Sequence, residues 1–275
     1  MYKIGIIGQG FVGNAVYQKF KQYYDIKTYD LDPSKCNASE EEVLSQQIVF
    51  VCLPTPMNMS DGSCNTELVE SVIEKCASSG HVQIAVIKST IPPGTTERIN
   101  AKYKDMTIVF NPEFLTEANA VNVYENQTRI ILGGDRKGTT PLKPIFAKVF
   151  PKAKIIKTHS TYAEMVKYVT NSFLATKVSF ANEMYTICKA IGADYDKVIE
   201  YATLDDRLGY SHWAVPGPDG DFGYGGHCFP KDVKALISVA TDNEVDTTIL
   251  SATDSKNNLV RKNRDWESME GRAVV

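Results

Sequence analysis

Little in this sequence is extreme. Its 30 basic and 33 acidic side chains nearly cancel, leaving a formal charge of -3, and no dense lysine or arginine block stands outside the C-terminal region. A nucleic acid partner therefore has no electrostatic footing. No run of about 18 apolar residues suggests a membrane span, and the start of the chain lacks the basic, apolar and small-residue succession of a secretion signal. A cytoplasmic location is expected, and with it reduced thiols. The six cysteines, Cys36, Cys52, Cys64, Cys76, Cys188 and Cys228, contain no C-x-x-C pair and no Cys/His grouping at zinc-finger spacing, so no metal site is expected. There is no internal repeat and no low-complexity tract.

What the sequence does contain is alternation. The β-branched, apolar run over residues 2–8 stops at glycine and gives way to helical spacing in Phe11–Phe20. Further strand-like runs appear at Ile26–Tyr29, Ile48–Leu53, Ile84–Ile87, Ile108–Phe110 and Ile130–Leu132, with Ile155 and Ile156 as a last candidate. Strands interleaved with helices argue for an α/β fold with a mostly parallel sheet, a doubly wound, Rossmann-type domain. After Thr158 the pattern changes. From Tyr162 to Ile191 there is neither Pro nor Gly, and Met165, Val169, Phe173, Phe180, Met184, Ile187 and Ile191 recur at spacings of three, four or seven, so one long helix is expected, ended by Gly192. Roughly 30 residues at 1.5 Å each make about 45 Å, enough to link two domains or to pack against a second copy. Shorter helices are expected at Tyr195–Ala202 and Val233–Ala240, separated by a loop rich in Gly and Pro over residues 216–226.

Between the first strand and first helix, Gly8, Gly10, Phe11, Val12 and Gly13 fall in a G-x-G-x-x-G pattern. In that context the first glycine permits a tight turn, the second lets backbone approach a pyrophosphate, and the third lets helix and strand pack closely. Asp30 ends the second strand, where a carboxylate accepts hydrogen bonds from ribose hydroxyls. Its charge favours NAD over NADP as cofactor.

Five other segments are poorly explained by packing: Leu53–Pro56 (LPTP), Lys88–Thr95 (KSTIPPGT), Asn111–Glu117 (NPEFLTE), the Lys167/Asn171 pair and Gly225–Asp232 (GGHCFPKD). In this order they resemble the UDP-glucose/GDP-mannose dehydrogenase family, from Tyr2 to about Leu236. The resemblance implies residues 1–158 as an NAD-binding domain, 159–252 as a mainly helical dimerisation domain entered by the long helix, and 253–275 as a charged connector to an absent third domain. It implies a nucleotide-sugar substrate, UDP-glucose first, and a homodimer.

Cys228 is where residue chemistry and resemblance agree best. Pro230 suits the first turn of a helix, which puts Cys228 just before that helix, where free N–H groups and the dipole favour a thiolate. The family's covalent nucleophile matches this position. Lys167 and Asn171, four apart on one helix, project from the same face, and the resemblance makes them oxyanion donors. It also implies Glu117, Asp232 and Thr90 in thioester hydrolysis, with Thr90 and Glu117 touching the cofactor too. Lys35, Thr55 and Lys231 complete the implied cofactor set. Glu113, Phe114, Leu115 and Gly225, with Lys167 and Asn171, meet the substrate, and Arg207 reaches a partner subunit's substrate. Rival readings are a dehydrogenase of GDP-mannose or a UDP-N-acetyl-hexosamine, a two-electron 3-hydroxyacid dehydrogenase, and an NAD-binding assembly protein without turnover.

Overall fold

The computed structural model describes residues 2–115 and 119–275. Short β-branched runs form the sheet. The strands are β1 (Ile4–Ile7), β2 (Ile26–Tyr29), β3 (Ile48–Val51), β4 (Ile84–Ile87), β5 (Thr107–Phe110), β6 (Arg129–Gly133) and β7 (Lys154–Thr158), in spatial order β2-β1-β3-β4-β5-β6-β7. Neighbours run parallel except β5 and β6, which meet antiparallel at Phe110 and Gly133. Alternate residues of β3 serve opposite faces. Ile48 and Phe50 join a cluster with Phe20, Phe146 and Phe150, while Val49 and Val51 join Ile73, Ile87 and Phe110. A sheet buried on both sides needs apolar residues at every strand position, and β1, β3 and β4 have them. The rings of Phe20 and Phe50 meet edge to face at 5.2 Å, and each such buried side chain contributes about 1.5–3 kcal/mol.

Helices between the strands are α1 (Phe11–Phe20), α2 (Glu40–Leu44), α3 (Glu67–Ser78), α4 (Thr95–Asn100), α5 (Ala120–Glu125) and α6 (Arg136–Val149). The chain then enters α7 (Ser160–Ile191), two residues earlier than the spacing predicts, and Gly192 ends it at φ 75°. Beyond lie α8 (Tyr195–Ala202), α9 (Phe229–Asp242) and α10 (Thr248–Val260). The architecture is thus a Rossmann-type doubly wound sheet followed by a mainly helical region. No helix among the described residues is long and apolar enough to cross a membrane.

Two compact units emerge. One comprises the chain up to Thr55 with Thr66–Lys167, and the other comprises Pro56–Asn65 with Tyr168–Val275. The division therefore falls inside α7 rather than at residue 158, and ten residues from the first half of the chain belong to the second unit. Residues 253–275, which the resemblance makes a connector, are folded within that unit. The start of that range is helix α10, Trp266 is buried beside Met57 and Val274, and Met57 N–H donates to the Ala273 carbonyl at 2.8 Å.

In the first unit, Glu164 is fully buried near the start of α7 and accepts the Gly94 and Thr96 N–H groups at 2.6 and 2.8 Å. It thereby caps the N-terminus of α4 from another element. Burial outweighs these bonds and raises its carboxyl above the ordinary value. Glu164→Ala would leave two N–H groups orphaned and is expected to cost about 2 kcal/mol, measurable as a shift in urea midpoint.

Candidate active site

In the first unit the glycines do different things. Gly8 sits at φ 90°, where an added Cβ would meet the Cys52 carbonyl oxygen at 2.3 Å, and a Cβ on Gly13 would fall 1.8 Å from Gly8 O. Both are required by close packing. Gly10 has nothing within 4 Å of its would-be Cβ and begins α1 without a side-chain cap. Phe11 and Val12, half-buried, form the first turn. Asp30 lies at the end of β2, where its carboxylate accepts Gln9 N–H at 2.5 Å and Asp32 N–H at 2.9 Å. That ties the acid to the glycine turn. The buried Gln9 Nε2 finds no partner among the described residues. An uncrowded glycine at a helix N-terminus, a carboxylate at the second strand end and a buried amide without a partner among the described residues fit an NAD molecule. Lys35 is exposed and pairs with Asp32 at 3.2 Å.

Thr55 and Thr90 are both buried, and the Thr55 hydroxyl donates to the Thr90 carbonyl at 2.7 Å, joining the ends of β3 and β4. After β5 the Asn-Pro-Glu segment turns inward. Glu113 is buried and accepts Lys167 Nζ at Oε1 (2.9 Å), while its own carbonyl takes a second bond from that ammonium at 2.7 Å and its Oε2 accepts Leu115 N–H at 2.6 Å. Burial alone would raise the Glu113 carboxyl, but the charge and hydrogen bond of Lys167 outweigh it and hold the group below its ordinary value. Phe114 places its ring 4.6 Å from the Arg129 guanidinium and 5.7 Å from Lys167 Nζ. Glu117 lies outside the described residues.

In the second unit, Cys228 is the N-cap of α9 and Pro230 stands in the first turn, as the sequence predicts, although the helix starts at Phe229 and runs to Asp242. Asp232 is 1% exposed and grips two donors, Lys231 Nζ at 2.5 Å and Asn171 Nδ2 at 2.6 Å. Burial penalises the Lys231 ammonium, yet the Asp232 carboxylate, with the nearby Cys64 and Cys228 thiols, outweighs that penalty and keeps the amine above its ordinary value. A cation is thus maintained one helical turn from the Cys228 sulfur, which favours the thiolate.

The glycine-rich loop before Cys228 is held by residues that sequence reading left out. Asn257 of α10 accepts Tyr224 N–H at 2.7 Å and donates to its carbonyl at 3.0 Å. Asp265 accepts Gly226 N–H, and Arg261 bonds Asp219 at 2.6 Å. A Cβ on Gly225 would fall 2.2 Å from the Arg261 guanidinium, so that glycine is needed for packing whatever it does for a ligand. Arg207 points outward, its side chain 88% exposed, paired only to Asp205 among the described residues. No group of three or more metal-ligating side chains exists among the described residues.

Relatives exist for both units. Residues 34–152 match the model of the UDP-glucose/GDP-mannose dehydrogenase family NAD binding domain, and residues 161–259 match that family's central domain. A UDP-glucose 6-dehydrogenase of Rickettsia bellii is 36% identical over 238 residues, 83% of this chain and 52% of the relative. UDP-glucose 6-dehydrogenase AglM of Haloferax volcanii is 30% identical, covering 91% of this chain and 68% of that protein. Among solved structures, a UDP-glucose dehydrogenase from Pyrobaculum islandicum superposes with a TM-score of 0.81 at 27% identity, over 94% of this chain and 68% of that one. The chain spans about half the length of several of the curated relatives it matches.

Proposed function

The chain belongs to the UDP-glucose/GDP-mannose dehydrogenase family, and from that premise we propose that it oxidises the primary alcohol of a nucleotide sugar to a carboxylate, with UDP-glucose as substrate and Cys228 as covalent nucleophile. The observation that carries this reading is Cys228 at the head of α9, one turn from a lysine that Asp232 keeps charged. Gly8, Gly10, Phe11, Val12, Gly13 and Asp30 hold NAD. When bound, NAD supplies the acceptor for the two hydrides that separate alcohol from acid.

The chain's own residues handle the carbon. Cys228 sulfur adds to the aldehyde carbon, and its proton goes to the former carbonyl oxygen, giving a thiohemiacetal. Oxidation of that adduct leaves a thioester. Water then adds, carbon–sulfur bond cleavage returns the thiol, and the acid departs. Lys167 and Asn171 are the hydrogen-bond donors for the oxygen at each tetrahedral stage. Asp232 positions both Lys231 and Asn171, while Thr90 and Glu117 serve the water. Overall, one alcohol, one water and two NAD give one carboxylate, two NADH and three protons. Purified protein with excess NAD should yield two NADH per UDP-glucose consumed; a ratio of one would rule out the four-electron reading, and no NADH with any nucleotide sugar would leave only a binding role.

The protein acts as a homodimer through α7 and in the cytoplasm. Tyr162, Val169, Phe173, Phe180, Ile187 and Ile191 are all exposed along one seam of that helix, with spacings of seven and four that suit a facing helix. Arg207, free of the site in its own subunit, is available to a partner's substrate. Phe173→Glu is expected to weaken self-association about 30-fold or more, read by light scattering across a dilution series.

A further inference from the structure

One buried charge in the first unit has no part in the chemistry above. Lys88, at the end of β4, is 2% exposed, and no carboxylate among the described residues lies within ion-pair distance of its ammonium. Its Nζ donates instead to Asn111 twice, to the carbonyl at 3.1 Å and to Oδ1 at 2.7 Å, and sits 5.5 Å from the centroid of the Tyr124 ring. Asn111 in turn donates through Nδ2 to the Ile131 carbonyl at 2.7 Å, so Lys88 locks the ends of β4 and β5 to the middle of β6. Two residues on, Glu113 grips Lys167 with both its carbonyl and its carboxylate. An apolar side chain of similar length would fill the same space without the desolvation penalty of an ammonium, so packing alone does not account for the charge.

We propose that Lys88 is a positioning residue for the oxyanion donor Lys167: it pins Asn111, and through the loop from Asn111 to Glu113 the carboxylate that holds Lys167. As a second buried cation, it also repels the Lys167 ammonium. Among the described residues, the groups facing Lys88 are Cys52 after β3, Glu113 after β5, Tyr124 on α5 and Lys167 on α7. Burial lowers the Lys88 amine to about 8, with Lys167 pushing the same way and Cys52 and Glu113 opposing. The network therefore loses its second cation as pH rises through about 8. This inference rests on reading Lys167 as an oxyanion donor.

Two measurements on the full chain test it. In the first, lysines carry carbon-13 at Cε, and Lys167, assigned by the loss of its signal in Lys167→Arg, is titrated in wild type and in Lys88→Met. Removing a neighbouring cation is expected to raise the Lys167 midpoint, and an unchanged midpoint overturns the proposal. This arm needs no turnover, so it decides the matter even if no nucleotide sugar is oxidised. In the second, kcat is followed against pH. Lys88→Met is expected to lower kcat about 100-fold with the KM for NAD within about threefold, and to lack the descending limb that wild type shows near pH 8. Lys88→Arg, which stays charged, should recover most of the activity and move that limb past pH 9. A Lys88→Met enzyme within threefold of wild type, or a wild type without the limb, overturns the proposal. If Lys88→Met does not fold, Asn111→Asp decides: the added anion should shift the limb upward, and an unshifted limb counts against Lys88.

Discussion

Replacing Cys228 with serine is expected to reduce NADH formation from UDP-glucose by about 10⁴-fold while leaving NAD affinity unchanged. The loss has two sources. A serine hydroxyl at the same N-cap is scarcely ionised at neutral pH, so the cation at Lys231 and the α9 dipole have no thiolate to stabilise. Any ester that did form would also release its acid more slowly than a thioester, because an alkoxide is a poorer leaving group than a thiolate. NAD affinity should hold because the glycine turn and Asp30 belong to the other unit and make their contacts without Cys228. Rapid-mixing absorbance for NADH and titration calorimetry for NAD separate the two effects. A variant within tenfold of wild type would show that sulfur forms no obligatory adduct.

Asp232→Ala is expected to cost about 3–5 kcal/mol of stability, more than any surface change in this chain. One carboxylate, 1% exposed, satisfies both Lys231 at 2.5 Å and Asn171 at 2.6 Å. Removing it leaves a buried ammonium without its counter-ion and a buried amide without an acceptor, the situation in which breaking an ion pair is most damaging. The sign of the pH dependence follows from Lys231. Its folded amine is held above the ordinary value, so its share of stability is fully present below about 10.4 and is lost only as pH climbs through the higher folded value. The Lys231 share of wild-type stability should therefore be flat from about pH 6 to 9 in urea titrations. A midpoint shift worth less than 1 kcal/mol would mean that water replaces the carboxylate.

Much of the fold was legible because its signals are local. Strands of β-branched residues, the glycine turn and the Pro-free span of α7 each announce themselves within a short window, and β2, β4 and α8 begin and end where the pattern places them. Helix α6 was not legible because Pro141 and Pro144 punctuate it. The pairing of Lys167 with Asn171 was only half visible. Helical spacing shows that they lie one turn apart, but it cannot show that each already holds a carboxylate, Glu113 for one and Asp232 for the other, more than fifty residues away in the chain. The C-terminal region misled for a related reason. Arg261 and Asp265 look like solvated charges in sequence, yet Arg261 is 4% exposed and both are spent on the loop that precedes Cys228. Lys88 stands in the Lys88–Thr95 segment, but only its burial distinguishes it from a surface lysine.

The chain's path between its two units also bears on how the protein can be made. Pro56–Asn65 belongs with Tyr168–Val275, and Met57 exchanges backbone hydrogen bonds with Ala273 and Val275. On the ribosome, the ten-residue excursion emerges early and must wait, unpaired, until residues 273–275 have been translated. The first unit, by contrast, has all its strands once Thr158 is out. A cut anywhere in α7 cannot yield two independent pieces, since each would carry a segment that belongs to the other or lack one of its own. Co-expressed halves would have to trade that excursion before either was complete, and a permuted gene that brings residues 56–65 next to 275 should shorten the wait.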